Sequence, residues 1–87
     1  MKIGIYPGSF DPFTHGHNDI LSRSLKIFDK VIIAVVKNSA KNYLFSLEER
    51  IQMVNQLFKD KENISCIGLD SKLTVDLASE LNAQAII

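Results

Sequence analysis

Val31-Ile-Ile-Ala-Val-Val36 is apolar at every position, and that run narrows what this chain of 87 residues can fold into. A strand with one wet face alternates polar and apolar side chains. A strand without alternation is covered on both faces, as in a parallel sheet flanked by helices. Other strand signals stand around it at Lys2–Tyr6, at Ile64–Ile67 with Gly68 expected to break it, and from about Gln84 through Ala85, Ile86 and Ile87. Helical periodicity fills the gaps. His17–Phe28 places Leu21, Leu25 and Phe28 on one face. Ser46-Leu-Glu-Glu49 has the spacing of a capping box, and Leu47, Ile51, Val54 and Phe58 follow at helical intervals. Thr74–Asn82 carries Leu77, Ala78 and Leu81 on one side. The order β-α-β-α-β-α-β predicts an α/β fold, a doubly wound parallel sheet with right-handed crossovers, in one domain spanning residues 1–87.

Composition limits the partners. Ten Lys/Arg offset ten Asp/Glu, so the formal net charge is zero. Broad electrostatic binding to nucleic acid needs a clustered basic surface, which this balance disfavours. A small anionic ligand needs only a few local groups. The single cysteine, Cys66, cannot close an internal disulfide and fits a reducing compartment. Within its strand it reads as a small apolar residue. No secretory leader is read at the start, and no apolar run is long enough to span a membrane, so the expected location is cytoplasmic with no membrane partner. The end of the chain has the character of a strand interior, with no polar cap after Ile87. In open α/β sheets the ligand crevice lies outside the carboxyl ends of the strands, where strand order reverses. If the fourth strand lies beside the first, the chain stops where the other wall of that crevice should begin. The expectation is therefore an incomplete N-terminal half of a domain.

The chemistry concentrates in Tyr6-Pro-Gly-Ser-Phe-Asp-Pro-Phe-Thr-His-Gly-His17. This segment joins the first strand to the first helix. Backbone N–H groups at such a junction point outward, and the helix dipole favours a negative charge there. Ser9 and Thr14 add hydroxyls, and His15 and His17 add imidazoles. The spacing of Gly4, Gly8, Gly16 and Gly68 does not form G-x-G-x-x-G, and no Gly-Lys-Ser/Thr is present, so neither common phosphate loop applies. A metal site built from Asp11, His15 and His17 lacks a further ligand at a clear spacing. Asp11-Pro12 is expected to shape the turn through nearby backbone N–H groups. A histidine at a helix start serves either as a cap or as a donor to a phosphate oxygen, and the residues leave both open.

Thr14-His15-Gly16-His17 resembles the signature of the HxGH-type nucleotidyltransferases, with Thr in place of the first His. The longer string through Asp19-Ile20 is similar to the phosphopantetheine adenylyltransferase family. Phe28-Asp-Lys-Val31, Asn38-Ser-Ala-Lys41, Phe45-Ser-Leu-Glu-Glu-Arg50, Gly68 and Leu73-Thr-Val-Asp-Leu-Ala78 extend the resemblance over the whole chain. The resemblance implies a Rossmann-like nucleotidyltransferase fold. It implies transfer of the adenylyl group of ATP to 4′-phosphopantetheine, giving dephospho-coenzyme A and pyrophosphate, with Mg²⁺ carried mainly on the ATP phosphates. By position, His17 would contact the α-phosphate and stabilise the transition state. Ser9 would bind both substrates, and the Phe10 backbone would contact ATP while its ring belongs to the core. Lys41 would act on the reacting phosphates, and Thr74 would contact phosphopantetheine at a site more often apolar in the family. His15 stands at the variable position and takes no role. The family's Arg-Gly-x-Arg segment and Ser-rich ATP-binding segment would follow Ile87, and the family forms homo-oligomers, commonly hexamers.

Two other readings stand beside this one. Another member of the superfamily, a nicotinamide mononucleotide adenylyltransferase or a cytidylyltransferase, would use the same turn. A non-catalytic half-domain that binds phosphate, or packs on a partner chain, would also account for the strand-like end.

Overall fold

The computed structural model describes residues 1–37, 42–70 and 85–87. Its elements run β1 (Ile3–Gly8), α1 (His15–Ser24), β2 (Lys30–Lys37), α2 (Leu47–Leu57), β3 (Ile64–Asp70) and β4 (Ala85–Ile86). The strands form one sheet in the order β3-β2-β1-β4, and every described pairing is parallel. Strand order therefore reverses between β1 and β4, as a doubly wound sheet requires. The expected helix at Thr74–Asn82 lies outside the described residues.

β2 forms the centre as its sequence predicts. Val31, Ile33 and Val35 face the helix layer with Tyr6, Leu21 and Val54, while Ile32 and Ala34 face the other way with Ile5. All nine of these residues are buried. A strand hidden on both faces has no use for alternation, which explains its uninterrupted apolar run.

Both strand ends were expected too early. β1 continues through Pro7 to Gly8, pairing Pro7 with Ala34 and Gly8 with Val35. Ile5 turns its carbonyl toward β4, where it accepts from the Ile87 N–H at 2.7 Å. Pro7, two residues on, turns its missing donor to that same side, beyond the Gly4 and Ile5 positions that β4 pairs. The missing N–H therefore interrupts no described pairing. Likewise, Gly68 does not break β3, which runs on to Asp70 in register with β2. A Cβ on Gly68 would sit 2.8 Å from Ile51 Cδ1 and 3.4 Å from Leu47 Cδ2, so this glycine lets α2 approach the sheet.

The helix starts follow their caps. Thr14 caps α1, which starts at His15, two residues before the expected start, and Ser46 caps α2 with Glu49 reaching back. α1 ends at Ser24, and the chain turns before Phe28 rather than continuing to it. The Asp29 N–H then donates to the Lys2 carbonyl at 2.8 Å, and the Lys2 N–H to the Asp29 carboxylate at 2.7 Å, which starts β1 and β2 together.

Candidate functional site

The carboxyl end of β1 delivers the chain into Ser9 and Phe10. Phe10 has φ 49°, a left-handed backbone that costs a non-glycine residue on the order of 1 kcal/mol. What the turn gains is a buried ring: Phe10 is 2% exposed. The ring meets Tyr6 edge-on at 5.1 Å, Phe13 at 5.4 Å and His17 at 5.0 Å between centroids. The expectation of a core ring at Phe10 therefore holds. Burial among these groups also pushes the Tyr6 hydroxyl above its ordinary pKa.

His17 performs the capping role and leaves its other nitrogen available. The Thr14 N–H donates to His17 Nδ1 at 2.9 Å, while the His17 N–H donates to Thr14 Oγ1 at 3.4 Å. This is a capping box in which imidazole replaces the usual Glu or Gln. A nitrogen that accepts from a backbone N–H holds no proton, so neutral His17 carries its proton on Nε2. Phe10 and Phe13 pack the ring, the latter at 5.4 Å. The cap thus fixes both the ring's place and its donor face, and no described residue takes up Nε2. The N–H groups of His15 and Gly16 open the same helix and have no intrahelical acceptor. Ser9, Phe10 and His17 accordingly gather at the carboxyl edge of the sheet, beside the reversal of strand order. His15 is exposed.

Two residues to which sequence reasoning gave no long-range contact tie this edge to α2. Asp11 does not bond its near neighbours: its carboxylate accepts from the Leu44 N–H at 2.6 Å and the Phe45 N–H at 2.9 Å. Arg50, 1% exposed, donates through Nη1 to the Ser9 carbonyl at 2.8 Å and the Val36 carbonyl at 3.1 Å. Its Nε donates to the Ser46 carbonyl at 3.3 Å, and its guanidinium lies 4.0 Å from the Tyr43 ring centroid. Periodicity could have flagged Arg50, which stands one position from Ile51 and four from Val54 on a helix whose inner face is otherwise apolar. Among the described residues no three His, Cys, Asp or Glu side chains gather to hold a metal, Asp11, His15 and His17 included. Lys41 and Thr74 lie outside the described residues.

This sequence matches the cytidylyltransferase-like family over residues 5–87. The chain belongs to that family. Among relatives in the same superfamily, the phosphopantetheine adenylyltransferase of Lachnoclostridium phytofermentans is 49% identical over 87 residues, covering all of this chain and 53% of that protein. The phosphopantetheine adenylyltransferase of Helicobacter pylori strain J99 is 46% identical, again over all of this chain and 55% of that protein. The chain thus spans about half the length of the curated relatives it matches. In three dimensions it is similar to NadR protein in complex with NAD and AMP-PNP, with a TM-score of 0.73 and 29% identity over 79% of this chain and 20% of that one. It is also similar to a bifunctional NMN adenylyltransferase/ADP ribose pyrophosphatase from Francisella tularensis, with a TM-score of 0.71 and 26% identity over 93% of this chain and 26% of that one. These likenesses agree with the Rossmann-like nucleotidyltransferase fold expected from the Thr14–His17 motif. Among the described residues no helix is long and apolar enough to cross a membrane.

Proposed function

We propose that these residues form the nucleotide-binding half of a phosphopantetheine adenylyltransferase. The enzyme would move the adenylyl group of ATP to the phosphate of 4′-phosphopantetheine, giving dephospho-coenzyme A and pyrophosphate. The observation that carries this reading is identity of 45–49% with enzymes of that name along all 87 residues. The geometry of His17 supports it.

In this reaction an oxygen of the phosphopantetheine phosphate attacks the α-phosphorus of ATP. A new P–O bond forms as the bond to the β-phosphate bridge breaks, and pyrophosphate leaves with that electron pair. The nucleophile is already an anion, so the protein supplies alignment and charge stabilisation rather than a covalent partner. The Nε2–H of His17, fixed as a donor by the Thr14 cap, would bond an α-phosphate oxygen as its charge grows. The Phe10 N–H and Ser9 would hold ATP at the end of β1, and Ser9 would also meet the acceptor. Lys41, after β2, would bridge the reacting phosphates, and Thr74 would contact phosphopantetheine. Mg²⁺ would enter on the ATP phosphates. We place the enzyme in the cytoplasm as a homo-oligomer, a hexamer by family resemblance.

The likeness to NadR and to an NMN adenylyltransferase supports a second reading with NMN as acceptor. The complete gene product, given ATP or CTP with phosphopantetheine or NMN, separates the two. Dephospho-coenzyme A and pyrophosphate are expected. Turnover of NMN alone would replace the first reading with the second, and no turnover with any pair would favour a phosphate-binding module. His17→Ala should lower kcat by about 10²–10³-fold, the usual loss for one transition-state donor, with a smaller change in the KM for ATP. Equal weakening of ATP binding and turnover would contradict the assigned role.

A further inference from the structure

A guanidinium that is 1% exposed, with no carboxylate in ion-pairing reach among the described residues, is costly to bury unless its position matters. Carbonyl oxygens and one ring surround Arg50 instead. The two carbonyls on Nη1 come from Ser9, just past β1, and from Val36, at the end of β2. Both lie at the carboxyl edge where the nucleotide is expected. Every described peptide bond except Asp11–Pro12 is trans. In a trans peptide the carbonyl and the following N–H point in opposite directions. With the Ser9 carbonyl held at 2.8 Å by Arg50, the Phe10 N–H must point away from that guanidinium, and the Phe10 ring lies 5.0 Å from the His17 ring between centroids. The left-handed Phe10 backbone, φ 49°, follows directly after that peptide.

We infer that Arg50 is a positioning residue, which turns the Ser9–Phe10 peptide so that the Phe10 N–H faces a nucleotide phosphate. The inference rests on the nucleotide-binding reading above but not on the identity of the acceptor. Arg50 touches no substrate. It acts through the Ser9 carbonyl, and the fork of its guanidinium lets one nitrogen span two strand ends while Nε holds the start of α2. Lysine keeps the charge but has no such fork.

The test uses the complete gene product with ATP as the probe. Wild-type protein, Arg50→Lys and Arg50→Gln are compared by ATP titration calorimetry, by the response of the Phe10 amide resonance to ATP, and by urea unfolding. In the wild type, ATP should shift the Phe10 amide resonance. Arg50→Lys should weaken ATP binding about tenfold per folded molecule and abolish that shift. Arg50→Gln serves in the same way if Arg50→Lys does not fold. A purely structural role would lower the urea midpoint while leaving the affinity of the folded molecules and the Phe10 response unchanged, which would overturn the inference. It would equally be overturned by a wild-type Phe10 amide indifferent to ATP, or by failure of both variants to fold, which would assign Arg50 to core stability. A wild type that shows the Phe10 shift yet makes no dephospho-coenzyme A would overturn only the reaction proposed above.

Discussion

Gly8→Ala and Gly16→Ala are the same chemical change with opposite expected signs. A Cβ on Gly8 would lie 2.9 Å from Phe10 Cζ, closer than such carbons approach one another, and a tight 3.1 Å from both Cε atoms. These are atoms of a ring held by Tyr6, Phe13 and His17, not the tip of a mobile chain, so the ring must shift as a body. Overpacking of this kind costs about 1–3 kcal/mol. Replacing glycine within a strand returns roughly 0.5–1 kcal/mol by restricting the unfolded chain. The net is a loss centred on about 1 kcal/mol and reaching at most about 2.5 kcal/mol. At Gly16 the nearest atom to a new Cβ is Thr14 Oγ1 at 3.7 Å, ordinary contact, and the site lies in the first turn of α1. Alanine there should stabilise by roughly 0.5–1 kcal/mol. With a urea slope of about 1.5 kcal/mol/M, the Gly8→Ala midpoint should fall by roughly 0.7 M and the Gly16→Ala midpoint should rise by roughly 0.5 M. Both are measured at one protein concentration by urea titration. A Gly8→Ala midpoint at or above the wild-type value would mean that the Phe10 ring yields freely, and the argument for a rigidly held site would fail with it.

Asp11→Asn should cost about 1–2 kcal/mol, because an amide can accept from only one of the Leu44 and Phe45 N–H groups and turns its own donors toward the other. Urea unfolding gives the loss, and hydrogen exchange at the Leu44 and Phe45 amides should quicken selectively; unchanged exchange there would remove the tie. The Cys66 thiol, pushed up to about 11 by burial, should hold about a hundredfold less thiolate near pH 8 than an unperturbed thiol. Alkylation by iodoacetamide at that pH should therefore be slow in the folded protein and fast in urea. Because the folded value lies above the unfolded one, this thiol's contribution to stability is complete below about pH 9 and is lost as pH rises toward 11. Equal alkylation rates in the folded and unfolded protein would refute the burial.

Periodicity and capping made the layered order legible, since both depend on neighbours in sequence. Val31–Val36 announced a doubly covered strand, and Ser46 with Glu49 announced the start of α2, as found. The errors have a common physical source. The first strand reads as ending at Tyr6 and Gly68 reads as a breaker, yet Pro7 and Gly68 each sit in a paired strand because of what lies across from it. Pro7 turns its missing donor past the described end of β4, and Gly68 makes room for Ile51. Helix α1 likewise starts at its cap and not at its first periodic residue, because Thr14 and His17 satisfy each other across one turn.

The site is legible in sequence only in its own segment, because its supports lie far along the chain. Ser9, Phe10, Thr14 and His17 are close together in sequence, and the turn chemistry exposes them. Asp11 and Arg50 complete the arrangement through contacts separated by 33 to 41 residues, which no local pattern encodes. The two supports run in opposite directions. Asp11, on the β1–α1 turn, accepts from backbone N–H groups just before α2, while Arg50, on α2, donates to a backbone carbonyl on the β1–α1 turn. Each side therefore holds the other by a charged group on backbone atoms, a geometry that side-chain flexibility cannot easily relax. A turn with a left-handed Phe10 and a histidine in its cap would otherwise pay in precision for its strain. The pairing of Asp11 and Arg50 across the gap keeps Ser9, Phe10 and His17 in one frame. On this argument the stretch Tyr43–Arg50 is as much a part of the site as the motif that reveals it.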